Sequence, residues 1–156
     1  MAVDENQVPT TLPVRWVRAA PFRAHLWSIV GLTGVHWRVI ALRAGVSPSL
    51  VRHLLFGDHG RSVRRISPSN AARIGKLDIH DIARLDRRPV GATPTARRFE
   101  RLCQRGVGAA ELAAVYQVDG ERFGQLATSP QCSELTELVV LAASLEEPAP
   151  TAGIVA

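Results

Sequence analysis

One stretch, Trp37–Leu55 (WRVIALRAGVSPSLVRHLL), constrains the fold more than any other part of the chain. Ile40, Ala41 and Ala44 give a first short helix an inward face, and Ala41 is small where a second helix must cross closely. Gly45 supplies the backbone freedom that a sharp inter-helix turn needs. Val46 buries the turn. Ser47 is placed to cap a second helix, and Pro48 sits where a missing N–H costs nothing. Leu50, Val51, Leu54 and Leu55 then recur at helical spacing as a buried side. A plain amphipathic helix pair explains the periodicity, but not a small residue, a glycine, a buried turn residue and a capping serine in this order. The stretch reads as a helix-turn-helix. Ser47, Ser49, Arg52 and His53 are left facing outward on its second helix, and all can hydrogen-bond a base edge or a phosphate.

The charge distribution points the same way. The 156 residues suffice for one domain or two very small ones and carry a net +5. Residues 1–77 hold 11 Arg and Lys against 3 Asp and Glu, while residues 78–156 hold 8 against 11. A front half at +8 beside a back half at −3 implies that the front half meets a polyanion. Lys76 is the sole lysine; arginine offers bidentate contacts to phosphate and guanine that lysine cannot make. No apolar run is long enough to span a bilayer, and MAVDENQVPTTLP lacks the charged-then-apolar pattern of a secretion signal. These features, with two cysteines, Cys103 and Cys132, read as free thiols, imply a cytoplasmic protein with no membrane contact.

Shifting the chain by 72 residues exposes a second copy of the pattern. Trp27 falls on Phe99, Gly34 on Gly106, Ile40 on Leu112, Ala41 on Ala113, Val46 on Val118, Val51 on Phe123 and Leu54 on Leu126. Each copy has an entry helix, Pro21–Leu32 in the first and Pro94–Gln104 in the second, the latter capped by Thr93. Each also has a trailing helix, opened by Ser67–Pro68 or running Ser133–Leu145. The expected fold is all-α: two tandem helix-turn-helix units of about four helices each, with no strand pattern. The expected divisions are an arm at 1–20, a first unit at 21–77, a connector at 78–92, a second, acidic unit at 93–146 and a tail at 147–156.

The two copies differ on the outside. In the first, Arg38 and Arg43 lie on the helix preceding the reading helix, where phosphate contacts arise. Trp37, which opens that helix, is the tryptophan placed to touch the DNA backbone; Trp16 and Trp27 read as core or rim packing. The following segment, GDHGRSVRRIS, places Arg61, Arg64 and Arg65 close together. It reads either as a solvated basic loop or as a clamp on a phosphate strand or minor groove. Val14–Arg18 (VRWVR) either packs on the first unit or extends the DNA-contacting arm. In the second copy Gln117 replaces the turn glycine. The second reading helix, DGERFGQL, carries Asp119 and Glu121, and its two glycines weaken it by roughly 1 kcal/mol each relative to alanine. Arg97, Arg98, Arg101 and Arg105 on its entry helix are candidates for an auxiliary DNA contact. Leu138–Leu141 reads as core in preference to an interface.

The pattern VIALRAGVSPSLVRHLLFG, followed by GRSVRRISPSNAARIGKL, resembles a group of helix-turn-helix proteins from actinobacteria and their phages. Members of that group carry a first unit like IARAAGVSxxxVxxLLxG, an arginine-rich loop and a further helix. Their second unit opens with a pattern like TxxRRLxxLxxxGxxxxxLA, matched here by TARRFERLCQRGVGAAELA. The resemblance covers roughly residues 20–145. It implies sequence-specific DNA binding, as a regulator or phage control protein, with Ser47, Ser49, Arg52 and His53 as reading residues. Gln117 and the acidic second reading helix depart from the group's pattern.

These readings converge on a double-stranded DNA-binding protein, a transcriptional regulator, with a protein partner or homodimer contact through residues 94–145. The alternatives are an adaptor whose helix-turn-helix scaffolds contact polymerase or another regulator, and an accessory factor in recombination or partition. No catalytic arrangement, metal set or cofactor loop is read. The histidines lack metal spacing, and Asp58–His59 has no nucleophile beside it.

Overall fold

A computed structural model describes residues 15–146; residues 1–14 of the expected arm and the expected tail at 147–156 lie outside the described residues. The first part of the described chain runs β1 (Val17–Arg18), α1 (Ala20–Thr33), α2 (Trp37–Ala44), α3 (Pro48–Phe56), β2 (Arg65–Ile66), α4 (Pro68–Gly75), α5 (Ile79–Ala83) and a 3-10 turn at Leu85–Arg87. The second part runs β3 (Pro89–Gly91), α6 (Thr93–Gln104), α7 (Ala109–Tyr116), α8 (Glu121–Gly124), a 3-10 turn at Gln125–Ala127, β4 (Gln131–Ser133) and α9 (Glu134–Leu145). The described chain is therefore mostly helical, with two short antiparallel sheets. No helix among the described residues is long and apolar enough to cross a membrane.

Local chemistry explains where the helices start. The Ser47 hydroxyl accepts from the Leu50 N–H at 3.1 Å, Ser67 from Asn70 at 3.2 Å and Ser133 from Thr136 at 3.1 Å. Each satisfies one of the N–H groups that a helix start leaves without a partner. Pro48 and Pro68 occupy the first turns of α3 and α4. His36 caps α2, its Nδ1 accepting from the Arg38 N–H. Thr93 is not a cap: α6 begins at Thr93 itself, with Ala92 as its uncapped neighbour. The turn between α2 and α3 is left-handed at Gly45 (φ 74°), and the corresponding turn after α7 is left-handed at Gln117 (φ 55°). The boundaries of α7 fall 72 residues after those of α2.

The strands correct the all-helical expectation. β1 pairs with β2 through Val17↔Ile66 and Arg18↔Arg65, and β3 pairs with β4 through Pro89↔Ser133, Val90↔Cys132 and Gly91↔Gln131. Strands of two or three residues are too short to display an alternating pattern. Each ribbon ties the strand before an entry helix to the segment before a trailing helix. The tie continues through Ala19 N–H to Arg64 C=O (2.9 Å) in the first part and Ala92 N–H to Pro130 C=O (3.0 Å) in the second. The expected connector at 78–92 is thus α5, a 3-10 turn and β3. α8, at the place expected for a second reading helix, is shorter than α3 and gives way after Gly124 to a 3-10 turn.

One continuous core joins both parts. Leu26, Ile29, Val39, Ile40, Val51, Leu54 and Ile74 are buried in the first, and Leu102, Leu112, Tyr116 and Phe123 in the second. The core reading of Leu138–Leu141 holds for Leu138, Val139 and Val140, which are buried; α9 packs on α2, α6 and α7. Its ends are clasped by charge. Glu134 at the start of α9 lies 3.4 Å from Arg43 at the end of α2, and Glu146 just after α9 pairs with Arg38 near the start of α2. The two helices therefore run antiparallel. Beside Arg38, the half-buried His36 ring lies 4.7 Å from Tyr116 and stacks at 5.3 Å on Trp37.

Two outcomes follow from these local conformations. Gln117→Gly is expected to stabilise the fold by about 1 kcal/mol, because it removes a side chain from a left-handed position, whereas Gly45→Ala costs about 1–2 kcal/mol; urea unfolding of both variants checks the signs. Burial, and then the Arg38 charge, lower the His36 pKa from 6.5 to about 4. The folded state therefore binds this proton less readily than the unfolded state. The resulting stability is fully present above pH 6.5 and is lost as pH falls towards 4, a change of about 2 kcal/mol after discounting for partial exposure. His36→Asn keeps a capping oxygen and should flatten that part of the stability–pH curve.

Candidate nucleic-acid interface

The outward side of α3 is built by what its other side buries. Val51, Leu54 and Leu55 face the core, so Ser49 and Arg52 are exposed and His53 is half-buried. Ser47 is exposed at the start of the helix, with its oxygen engaged by the Leu50 N–H and its own O–H left to donate.

The segment after α3 is an ordered hairpin. Asp58 N–H donates to Arg61 C=O at 2.8 Å, and Arg61 N–H donates back to Asp58 C=O at 2.9 Å. The two residues between them, His59 (φ 48°) and Gly60 (φ 75°), are both left-handed, as a two-residue hairpin of type I′ requires. Gly57 permits the approach: a Cβ there would lie 2.8 Å from the Arg61 carbonyl oxygen. Arg23 on α1 then fastens the hairpin base to the helix bundle. Its guanidinium donates to Leu54 C=O at 2.6 Å and to Val63 C=O at 2.5 Å. Arg61, Arg64 and Arg65 are exposed along this pinned segment. Asp58 and His59 lie 3.5 Å apart at the exposed tip.

The arginines of α2 are in a different environment. Arg43 donates through Nε (3.1 Å) and Nη2 (2.8 Å) to one carboxylate oxygen of Asp81 and lies near Glu134. Arg88 pairs with the other oxygen of Asp81 and lies 3.6 Å from Glu134. This network holds the Asp81 carboxyl below its ordinary range, chiefly through the hydrogen bond from Arg88 and then through Arg43. Arg38 pairs with Glu146, and its guanidinium carbon lies 4.8 Å above the Trp37 ring. Trp37 is half-buried and meets Phe56 edge-on. Trp27 is 43% exposed against the same Phe56, and Trp16 is 58% exposed.

The expected reading residues thus divide. Ser47, Ser49, Arg52 and His53 share one helix, and Arg61, Arg64 and Arg65 follow on the hairpin and β2. Arg38 and Arg43 lie along the contact with α9 and α5, and Trp37 packs beside Arg38 against Phe56 at the end of α3. Sequence reasoning missed Asp81 and Glu134 as partners, and Arg23 as the fastener. It left Arg18 undecided, although its place in the VRWVR run was the available signal. In the second part, Asp119 and Glu121 are exposed at the start of α8, while Arg122 is drawn inward to Asp86 (2.8 Å) and Thr136 (3.3 Å). Arg97 and Arg101 are exposed on α6, Arg98 is half-buried, and Arg105 donates to the Glu146 carbonyl. Among the described residues no three His, Cys, Asp or Glu side chains form a group that would hold a metal ion.

Compared with protein-family models, curated proteins and solved structures, the chain matches none.

The two arginine environments predict different costs of substitution. Arg43→Met, which keeps the alkyl stem but removes the ion pairs, should lower stability by about 1 kcal/mol, while Arg52→Ala and Arg61→Ala should stay within about 0.5 kcal/mol of the parent. Urea unfolding of the three variants is the check, and equal losses at all three positions would count against the division.

Proposed function

We propose that the chain is a sequence-specific double-stranded DNA-binding protein acting as a transcriptional regulator, with α2, the Gly45 turn and α3 as its helix-turn-helix. On this reading α3 lies in the major groove. Arg52 donates in bidentate fashion to a guanine, while Ser47, Ser49 and His53 meet base edges or phosphates. Arg61, Arg64 and Arg65 supply salt-sensitive affinity from the adjoining hairpin. The observation that carries the reading is the run of exposed, unpaired arginines on α3 and the segment that follows it. Arg38, Arg43, Arg88 and Arg122 each meet a carboxylate, whereas Arg52, Arg61, Arg64 and Arg65 meet none among the described residues and are exposed. Arg38 and Arg43 enter the reading as residues that hold α2 in place, since a phosphate would have to displace Glu146 or Asp81 to reach them.

The second part, on the same reading, is a second helix-turn-helix-like unit that does not read bases. The acids at the start of α8 repel phosphate, and the short α8 leaves little helix to enter a groove. Residues 94–145 are then the place for a protein partner or a second copy of the chain.

The test is selection of bound duplexes from a random pool at near-physiological salt, with Arg52→Ala in parallel. One enriched motif is expected. The variant should bind that motif more weakly by roughly 1–3 kcal/mol and lose preference at one base pair. An equal loss on every sequence would reduce Arg52 to a phosphate contact, and no enrichment with the parent protein would overturn the reading.

A further inference from the structure

The outer face of the β1–β2 ribbon carries an arrangement that the fold itself does not need. Arg18 and Arg65 are in-register partners on neighbouring strands, and both are exposed. Residues opposite one another in an antiparallel pair project from the same face, and like charges there repel. With Arg23, Arg64, Ser62 and Ala20, these two residues line an open cleft between the ribbon and the start of α1. No carboxylate lines it. Arg18, Arg64 and Arg65 have no ion-pair partner among the described residues. Arg23 is held in the cleft wall by its two carbonyl partners, so its charge is fixed in place.

The chain contains its own control. In the second ribbon Ala92 N–H bonds Pro130 C=O as Ala19 N–H bonds Arg64 C=O in the first. Counting outward from those bonds, the position of the Arg18↔Arg65 pair is taken by Gly91↔Gln131. The same ribbon therefore forms without charge. Arg23 is accounted for by its two carbonyl partners, but folding does not explain why Arg18, Arg64 and Arg65 stand exposed and unpaired around it, and an anion does.

We infer that this cleft is a seat for a single phosphodiester of the DNA backbone, lying beyond the stretch that α3 reads. The inference rests on the reading of α3 as a DNA-binding helix. A phosphodiester is a tetrahedral monoanion whose two free oxygens accept paired N–H donors from guanidinium groups. Bound here it screens Arg18 from Arg65. Through the Arg23 fastening it also links the ribbon contact to the α3 end, so that helix, hairpin and ribbon engage one duplex together.

The experiment compares the full chain with Arg18→Gln/Arg65→Gln, using the duplex selected by the parent protein and a scrambled duplex across a salt series. An uncharged pair, Gly91↔Gln131, already occupies the equivalent place in the second ribbon, so the variant is expected to fold, with an unchanged or higher Tm now that the repulsion is gone. Loss of one phosphate contact should lower the slope of log K against log salt by about 0.9 and weaken binding roughly fivefold at 0.15 M salt. Both duplexes should be affected equally, with base preference unchanged. In parallel, inorganic phosphate titrated into the free parent protein should shift the guanidinium NMR resonances of Arg18, Arg64 and Arg65. An unchanged salt slope, with Arg52→Ala still blurring base preference, would overturn the seat and leave the DNA reading standing. Phosphate shifts without retention of any duplex by the parent protein would overturn the DNA source, leaving a site for free phosphate groups.

Discussion

The packing of α9 along α2 is the contact on which the rest of this molecule depends. α2 is only eight residues long, too short to persist alone, and its stability comes from what it buries. Val39, Ile40 and Ala41 are turned into the first part of the core, and α9 covers the helix from another side. The apolar residues that α9 buries each contribute on the order of 1.5–3 kcal/mol on being removed from water. The ion pairs at its two ends are half-exposed and contribute less. Their larger effect is to set direction and register: Glu134 meets Arg43 only if α9 runs antiparallel to α2, and Glu146 then reaches Arg38. The acidic second part thus closes the core of the basic first part.

That arrangement also sorts the arginines. Those on α2 are neutralised from within by Asp81, Glu134 and Glu146, while those on α3, the hairpin and β2 are exposed and form no ion pair among the described residues. A chain with net +5 spread evenly would have a diffuse field. Pairing the α2 arginines internally leaves those of α3, the hairpin and β2 as a run of unpaired charge in the first part. The second part shows the reverse. In the second part Arg122 is drawn inward by Asp86 and Thr136, the loop before β4 is short, and the ribbon is neutral. The first ribbon carries an exposed arginine pair, and the second carries none.

Much of this was legible in the sequence because it depends on near neighbours. The caps at Ser47, Ser67 and Ser133 act over three residues, the left-handed turn at Gly45 over two, and the buried faces of α3 and α9 over the helical repeat. The period of 72 followed from comparing those local signals with one another. The ribbons were not legible. β1 and β2 are two residues each and are separated by three helices, so their pairing has no local signature. The hairpin tip was only partly so: the glycine- and arginine-rich segment was legible as a basic loop, but the left-handed His59 and the Arg23 fastening beneath belong to the folded molecule.

The sequence by itself determined where the helices start, which faces they bury, the repetition of the pattern and the opposite charge of the two halves. Each of these is set by side-chain chemistry within a turn or two of the backbone, or by composition alone. Only the tertiary structure decided which arginines stand free. Arg43 and Arg52 look alike along the chain, each at an outward position of a short helix. One lies against Asp81, 38 residues away, and Glu134, and the other meets no acid among the described residues. Charge pairing acts through space over a few ångströms, and the separations that matter to it exist only once α9 has closed on α2.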